Sequence, residues 1–480
     1  MKNMTLTAIA AACGGTLYNA DSLLDNITGV VIDSRLVQPG NLFIATKGEK
    51  VDGHCYIPQA QAKGAMAVLG EWLLEEIGSV PYIQVPDSFQ ALKDIAAFYR
   101  SQLTIPVVGI TGSVGKTSTK EFIAAVLGER YRVLKTEGNF NNEVGLPLTV
   151  LRIREQHEVA VLEMGISDFG EMHRLAAIAC PDIAVLTNIG PCHLENLGSL
   201  AGVLQAKTEI FTHLGPEGLV CLNGDDERLA TLDRVNEKKP LFFGVGQNNP
   251  IYADGIVNNG LLGTRAVIHQ EGVVFPIEIP LPGEHMIYNA LAAVSVGSRL
   301  GLSPIEMQRG IGGLKAVKGR GNIINLPEGI LIDDCYNANP VSMKAALDLL
   351  QMATGRRVAI LGDMLELGEE EQTMHETIGR YAVTRTDRLI CIGHRSWHMY
   401  KAAQEGGAIG QAGGKSGYSA GKGDAITCFY YPDKEGFLAE AGNLLQPADT
   451  VLIKASNGMG FASLVEIAQT EGGFSRLVSE

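Results

Sequence analysis

A glycine-rich segment between an apolar run and a helical pattern constrains the fold of this chain more than any other feature. Residues 107–110 (VVGI) are typical of a buried strand, and the pattern from residue 118 (STKEFIAAVLGERY) predicts a helix. The intervening glycines let backbone N–H groups converge on one anion, to which the helix N-terminus adds positive potential. The predicted phosphate contacts are Gly112, Ser113, Val114, Gly115, Lys116, Thr117 and Ser118. The segment therefore predicts a nucleotide triphosphate site in an α/β domain.

Two side chains of this loop have chemistry that suits a triphosphate. Lys116 can neutralise the β- and γ-phosphates, and the Thr117 hydroxyl can bind magnesium. The spacing departs from the strict phosphate-loop pattern, which has glycine where this chain has Ile110. The alternative of a glycine-rich turn with an incidental lysine is disfavoured by the strand and helix that flank it. The loop alone does not separate a kinase, a GTPase, an ATPase and a ligase.

Length and composition favour a multidomain α/β protein. The 480 residues suggest three domains, and 46% hydrophobic residues with 57 glycines are typical of α/β folds with many tight turns. A net charge of −14 argues against non-specific nucleic-acid binding. No apolar run reaches the about 18 residues of a membrane span, and the opening segment predicts a short amphipathic helix rather than a secretory leader. The eight scattered cysteines predict reduced core residues in a cytoplasmic protein.

Strand and helix patterns divide the chain into three predicted α/β domains. Residues 1–104 hold short strands and a final helix, and the proline at 106 marks the boundary because the residue before proline is disfavoured in a helix. Residues 105–316 carry the phosphate loop in a mostly parallel sheet, and residues 317–480 hold a second, Rossmann-like parallel series. The glycine-rich stretch 405–424 predicts a surface loop.

Three further residues are candidates for metal chemistry, each with a plain structural alternative. Glu163 ends the apolar run VAVLE, where a strand would place its carboxylate beside the loop, although such residues are often solvated. His193 follows the next apolar run, and a single histidine is more often structural. Lys207 lies in a helical pattern, where lysine is ordinarily a solvated charge.

The loop pattern T-G-S-x-G-K-T-[ST] resembles that of the Mur ligases and of the folylpolyglutamate synthetases, which share a three-domain plan. The resemblance implies that Glu163 binds the magnesium bridging the β- and γ-phosphates of ATP. His193 matches the family's N-x-x-x-x-H-L-[ED], in which the histidine binds a second magnesium. Lys207 matches A-K-x-E-I-F, whose lysine is carbamylated and acts as a metal ligand. Two magnesium ions, held by Thr117, Glu163, His193 and Lys207, are therefore implied.

Other motifs resemble the branch of the family that adds D-alanyl-D-alanine. Thr136–Pro147 matches T-x-G-N-x-N-N-x-x-G-x-P, which lies along the peptidyl substrate, and the segment at 333–340 matches D-D-x-Y-N-A-N-P. The implied substrate contacts there are Asn139, Asn141, Asn142, Tyr336, Asn337 and Asn339. The implied nucleotide contacts are Asn289 to adenine, Arg320 to the γ-phosphate, and Asp334. The segment K-A-S-N-G-M at 454–459 departs from the usual K-G-S-R-G-M, which weakens a role for Lys454.

The first domain resembles the part of the family that holds the UDP portion of the substrate, through its I-D-S-R and D-G-H motifs. The implied contacts are Ser34, Arg35, Lys47 and His54. The resemblance implies a monomeric, cytoplasmic, ATP-dependent amide ligase of peptidoglycan synthesis that joins D-alanyl-D-alanine to a UDP-linked muramoyl tripeptide. Alternatives are a diaminopimelate- or lysine-adding ligase, a folylpolyglutamate synthetase and, from another class, a nucleotide-binding regulator without ligase chemistry.

Overall fold

The computed structural model describes residues 1–20, 26–48, 51–72, 80–215, 217–327, 329–412 and 426–470, which form three sheets of five, nine and seven strands. The first sheet has the order β1-β5-β4-β3-β2 and is parallel except where β1 pairs with β5. Its strands are β1 Thr16–Tyr18, β2 Gly29–Val31, β3 Asn41–Ile44, β4 Ala67–Gly70 and β5 Tyr82–Gln84, and its helices are α1 Leu6–Ala12, α2 Ile57–Ala62 and α3 Ser88–Ser101. Strands β3 and β4 are buried along their whole length, as is typical of parallel strands that are covered on both faces.

Helix α3 joins the first sheet to the second. Asp87 caps its N-terminus by accepting from the Gln90 N–H at 2.9 Å. Near its C-terminus the Tyr99 hydroxyl donates to Ile153 O at 2.7 Å, and Arg100 Nε donates to Ala179 O at 2.8 Å. The buried face of α3 belongs to one apolar cluster that continues into the second sheet. The first two sheets therefore share a core.

The second sheet has the order β14-β13-β12-β11-β10-β9-β6-β8-β7, which places the strand before the phosphate loop between two parallel neighbours. Its strands are β6 Val107–Thr111, β7 Val133–Lys135, β8 Val159–Glu163, β9 Ile183–Leu186, β10 Leu219–Asn223, β11 Leu241–Gly244, β12 Ile251–Asn258, β13 Thr264–Gln270 and β14 Val273–Ile279. Its helices are α4 Lys116–Gly128, α5 Gly145–Val150, α6 Glu171–Ala179, α7 Leu194–Leu197, α8 Leu200–Thr208, α9 Met286–Arg299 and α10 Pro304–Gly312.

The third sheet has the order β15-β16-β21-β17-β18-β20-β19 and is parallel except where β15 pairs with β16. Its strands are β15 Asn322–Leu326, β16 Gly329–Asp333, β17 Arg357–Gly362, β18 Arg388–Ile392, β19 Ile409–Ala412, β20 Thr427–Tyr431 and β21 Thr450–Lys454. Its helices are α11 Pro340–Gln351, α12 Glu371–Ala382, α13 Ser396–Glu405, α14 Lys434–Leu444 and α15 Ala462–Gln469. Alternating residues along these strands belong to two separate apolar clusters, one on each face of the sheet, as in a layered α/β fold.

The predicted three-domain α/β architecture is confirmed, with three local corrections. The second sheet ends in an antiparallel β12-β13-β14 meander that the apolar-run pattern does not reveal, because these strands alternate buried and exposed residues. Strand β19 lies within the predicted 405–424 loop, since it pairs with β20; residues 413–424 lie outside the described residues. All eight cysteines are free, but Cys55 and Cys180 are exposed rather than in the core. The exact domain boundaries stay predictions.

No helix in the described ranges is both long enough and apolar enough to cross a membrane.

Candidate active site

The loop at 112–115 is shaped by the ends of two neighbouring strands. Gly112 has a φ of 149°, and a Cβ on it would lie 1.9 Å from Thr187 Oγ1, so a side chain has no room there. From the end of β9, Asn188 accepts from the Ser113 N–H at 3.0 Å through its carbonyl and from the Val114 N–H at 2.9 Å through Oδ1. These hydrogen bonds fix the loop against the residues that follow β9. Thr187 and Asn188 were not among the predicted site residues.

Lys116 is folded back over this loop. Its Nζ donates to Gly112 O at 2.7 Å, and burial is the main cause that lowers the pKa of this lysine. Glu163 is close enough to raise the same pKa and Arg320 to lower it further. An anion bound in the loop would replace the carbonyl as the partner of this ammonium group and offset its desolvation.

Glu163 is the centre of a buried polar network beside the loop. Thr117 Oγ1 donates to Glu163 Oε2 at 2.8 Å, and Asn141 Nδ2 donates to Oε1 at 2.9 Å. Lys120, also buried, lies with its Nζ 3.7 Å from Glu163 Oε2 and 3.2 Å from Glu121 Oε1. The sequence prediction missed Lys120, although it lies one helical turn after Lys116 on the face that begins at the loop. The network brings three predicted residues together: Thr117, Asn141 and Glu163.

Lys207 lies entirely inside the protein on α8, and its Nζ has no hydrogen-bond partner. Burial, together with the charge of Lys116, lowers the pKa of Lys207 to about 8. A buried lysine without a partner is costly, so this amine is poised either to lose its proton or to change chemically. The plain structural alternative of a solvated lysine therefore does not hold at this position, whereas carbamylation and metal binding by Lys207 stay predictions.

His193 immediately precedes α7 and faces the third domain. Its Nδ1 lies 2.7 Å from Glu366 Oε2, and this contact lowers the pKa of Glu366. His193 also lines the cleft above the phosphate loop. The histidine is thus shared between the cleft and a carboxylate from another domain.

The opposite side of the cleft is formed by the start of α9. Asn289 is buried, and its Oδ1 accepts from Thr119 Oγ1 at 2.8 Å. The Tyr288 hydroxyl donates to Asp225 Oδ2 at 3.2 Å. Further cleft residues on this side were missed by the sequence prediction: Asn223, Phe243, His285, Met286 and Tyr288. Their apolar and polar mixture suits a flat heterocycle.

The third domain contributes the turn after β16. The Arg320 guanidinium lies 4.0 Å from the centre of the Tyr336 ring, and both residues line the cleft. Asp334 Oδ2 accepts from Lys454 Nζ at 2.6 Å, and Asp334 Oδ1 accepts from the Gly321 N–H at 3.0 Å. Asn339 caps α11 through the Ser342 N–H at 2.9 Å, so it has a structural role as well.

These elements enclose one cleft of about 680 Å³. Most of the predicted catalytic, nucleotide and third-domain residues line it: Ser113, Val114, Gly115, Lys116, Thr117, Ser118, Asn141, Asn142, Glu163, His193, Asn289, Arg320, Asp334, Tyr336, Asn337 and Asn339. Lys454 lines it too, despite the altered motif around it. Gly112, Asn139 and Lys207 do not line the cleft itself.

The predicted residues of the first domain are not among the residues that line this cleft: Ser34, Arg35, Lys47 and His54. Arg35 pairs with Asp33 at 2.7 Å on the surface, and Ser34 Oγ donates to Gln59 Oε1 at 2.7 Å. His54 is buried, with Nδ1 2.6 Å from Asp52 and Nε2 accepting from the Glu71 N–H at 2.8 Å. The structure gives His54 a local structural role, and its contact with a substrate stays a prediction.

Comparison with known proteins gives matches along nearly the whole chain. Three family models match in succession: Mur ligase family, catalytic domain, over residues 26–100; Mur ligase middle domain over 110–297; and Mur ligase, glutamate ligase domain, over 319–457. The UDP-N-acetylmuramoyl-tripeptide--D-alanyl-D-alanine ligase of Bacillus subtilis is 37% identical over 97% of this chain and 98% of its own length. The Escherichia coli protein of the same name is 35% identical over 98% of this chain and 100% of its own length.

Solved structures agree with these matches. MurF from Acinetobacter baumannii superposes with a TM-score of 0.85 at 28% identity, covering 96% of this chain and 98% of that chain. MurF ligase from Thermotoga maritima, in complex with ADP, gives a TM-score of 0.77 at 27% identity, covering 94% and 97%. With the phosphate loop, the Glu163 network and the third-domain turn meeting in one cleft, these matches show that the chain belongs to the Mur ligase family.

Proposed function

We propose that this chain is an ATP-dependent ligase that joins D-alanyl-D-alanine to a UDP-N-acetylmuramoyl tripeptide in peptidoglycan precursor synthesis. The observation that carries the proposal is the cleft in which Lys116, Thr117 and Glu163 of the second domain face Arg320 and Asp334 of the third. Full-length relatives of this name support the choice of substrates over those of other branches. The rival ligases and a nucleotide-binding regulator are not favoured.

The chemistry follows from the poor reactivity of a carboxylate toward an amine. The free carboxylate of the tripeptide attacks the γ-phosphorus of ATP, the bond from that phosphorus to the β,γ-bridging oxygen breaks, and an acyl phosphate and ADP result. The amine of D-alanyl-D-alanine then attacks the acyl carbon and loses a proton, and inorganic phosphate leaves with the electron pair of the broken C–O bond. Lys116 and Arg320 offset the negative charge that gathers when two anions meet.

Magnesium fits the donors on the cleft wall. Thr117 and Glu163 offer a hydroxyl and a carboxylate 2.8 Å apart at the phosphate loop, which matches the small protein contribution that Mg²⁺ needs when phosphates and water supply its other ligands. No group of three or more acidic, histidine or cysteine side chains that could hold a metal occurs in the described ranges, and nucleotide oxygens and water would supply the other ligands. Bound magnesium would screen phosphate charge and polarise the γ-phosphoryl group.

A second magnesium, bound by His193 and a carbamylated Lys207, is also part of the proposal. The orphaned Nζ of Lys207 and its lowered pKa support it, since a neutral amine is the form that adds CO2. Carbamylation would turn a costly buried cation into an anion with two oxygen donors. The ¹³C NMR spectrum of protein incubated with ¹³CO2 should show one carbamate signal that Lys207→Met removes. A spectrum without this signal in the active protein would exclude the modification.

The remaining parts of the proposal concern which domain binds each part of the substrates. The first domain would bind the UDP portion, the segment 139–142 the peptide, and the third domain the incoming dipeptide, with the protein acting as a cytoplasmic monomer. Closure of the third domain would exclude water from the acyl phosphate.

The decisive experiment measures phosphate release by the purified chain. We expect release with ATP and UDP-muramoyl tripeptide to rise strongly when D-alanyl-D-alanine is added. Lys116→Ala should abolish turnover while the UDP substrate still binds, as measured by calorimetry. Phosphate release that does not respond to the dipeptide would reject the assignment and would point to a nucleotide hydrolase or regulator.

A further inference from the structure

Two residues from different domains meet at the edge of the cleft in unusual backbone conformations. His193 has a φ of 51° and Glu366 a φ of 64°, and their side chains join at 2.7 Å. Left-handed conformations are uncommon for residues other than glycine, and they persist where surrounding structure holds them. The contact therefore links two locally strained turns, one before α7 and one between β17 and α12.

The turn that carries Glu366 is rigidly anchored in the third domain. The Met364 N–H donates to His375 Nε2 at 3.0 Å, and the Leu365 N–H donates to Ser456 Oγ at 2.9 Å. Leu367, the next residue after Glu366, is buried. Because both sides of Glu366 are held, its carboxylate is presented at a defined point rather than from a free loop.

The same turn sits against the second domain at close range. Gly368 has a φ of 66°, and a Cβ on it would lie 3.4 Å from the Glu195 backbone nitrogen. The backbones of the two domains thus approach each other beside the His193–Glu366 contact.

Stability does not explain this ion pair. The Glu366 side chain is 58% exposed and that of His193 22%, and pairs this accessible contribute little to folding. Nearby Arg395 is 2.6 Å from Glu371, so within the described ranges the ionic partner found for Glu366 is His193. A carboxylate that accepts from one ring nitrogen of a histidine fixes the tautomer and directs the other nitrogen as a ligand.

We propose that Glu366 is a positioning residue that holds the His193 ring through Nδ1–H, so that Nε2 serves the second magnesium of the nucleotide site. This inference rests on the magnesium–nucleotide site of the proposed function. It means that docking of the third domain completes the metal site in the second domain. Metal affinity and domain docking are then coupled, and each favours the other.

The test is Mn²⁺ binding to the full chain with a non-hydrolysable ATP analogue, followed by electron paramagnetic resonance. Wild-type protein should bind two ions, and Glu366→Gln should weaken the second about 10-fold or more, the usual effect of losing such a carboxylate. Glu369→Gln, an exposed neighbour on the same turn, is the matched control and should leave both affinities unchanged. Both substitutions are at exposed side chains, so we expect the two variants and the wild type to have equal thermal unfolding midpoints. Equal midpoints will show that the variants are folded.

A double-mutant cycle separates positioning from a general effect of charge. In a His193→Ala background, Glu366→Gln should cause no further loss of Mn²⁺ affinity. Unchanged binding in Glu366→Gln, an equal loss in Glu369→Gln, or a single bound ion in the wild type would each overturn the inference. No muramoyl substrate is needed, so a protein that shows the Mn²⁺ effect but lacks ligase activity would reject the proposed function alone.

Discussion

The buried Lys454 and the partly exposed Asp334 form an ion pair at the ends of strands β21 and β16, with Nζ 2.6 Å from Oδ2. The same Nζ donates to Asn337 O at 2.9 Å, so it ties down the turn that lines the cleft. The motif around Lys454 differs from the family pattern, yet the contact is made. Ala455, which stands in place of the usual glycine, is buried. A Cβ on Gly362 would lie 2.6 Å from the Ala455 Cβ, so the glycine at 362 leaves room for the alanine side chain.

Replacing Lys454 by methionine should destabilise the third domain by about 2 kcal/mol, because the change leaves the partly buried Asp334 carboxylate without its cation. The exposed pair of Lys318 and Glu466, 3.2 Å apart, provides the control, and Lys318→Met should cost under about 1 kcal/mol. Differential scanning calorimetry of both variants measures the shift. Similar midpoints for the two variants would contradict a structural role for the Lys454 pair.

The Thr117 hydroxyl should matter for catalysis far more than for folding. Thr117→Val keeps the shape of the side chain but removes the donor to Glu163, and we expect kcat to fall about 100-fold, as on loss of one organised electrostatic contact. Thr117→Ser keeps the hydroxyl and should retain most activity. Steady-state phosphate release at several Mg²⁺ concentrations compares them. A valine variant as active as the serine variant would remove Thr117 from the site.

Gly112 should tolerate no side chain. Gly112→Ala places a methyl group 1.9 Å from Thr187 Oγ1 and forces alanine into a φ of 149°, so ATP affinity should fall at least about 10-fold. Adding Thr187→Ala should restore only part of the affinity, since the backbone strain remains. Gly128→Ala is the control, because a Cβ there has nothing within 4 Å. Fluorescent nucleotide titration measures all of these variants.

The stabilisation that Glu306 contributes at the start of α10 should depend strongly on pH in the acid range. Hydrogen bonds from Ser303, with the ion pair to Arg130 as a smaller cause, lower the pKa of Glu306 from 4.5 to about 2. The pKa of Glu306 is lower in the folded protein than in the unfolded chain, so ionised Glu306 stabilises the fold. This contribution is fully present above pH 4.5 and is lost as the pH falls toward 2. Ser303→Ala should raise the pKa in ¹³C-carboxyl NMR titrations, whereas an unchanged value would show that the cap hydroxyl is not the main cause.

Much of the site could be predicted because its parts are local in the chain. The strand, loop and helix around Lys116 occupy consecutive residues, and their pattern depends on hydrophobic periodicity and glycine. Glu163 was also predictable, since a carboxylate at the end of a buried parallel strand reaches the sheet edge where ligands bind. The prediction that the chain adds D-alanyl-D-alanine depended on the resemblance of its motifs to a family branch, and hydrophobic periodicity did not indicate it.

Other features depend on which strands become neighbours. The chain order would place β7 next to β6, but the fold inserts β8 between them and pairs Ile110 with Glu163, which brings Thr117 to the carboxylate. The fold also places β9 on the other side of β6, and the residues after β9, Thr187 and Asn188, therefore reach the phosphate loop. No short-range pattern encodes this strand order.

The sequence by itself determined the α/β class, the phosphate loop and a set of residues whose chemistry suits a nucleotide and magnesium, because periodicity, glycine and side-chain chemistry are properties of neighbouring residues. Only the tertiary structure decided that Lys207 is buried without a partner, that Lys120 joins Glu163, and that Glu366 reaches His193 from another domain. The physical reason is that burial and distance arise from the packing of segments far apart in the chain, and these set the charge, the pKa and the partner of each side chain.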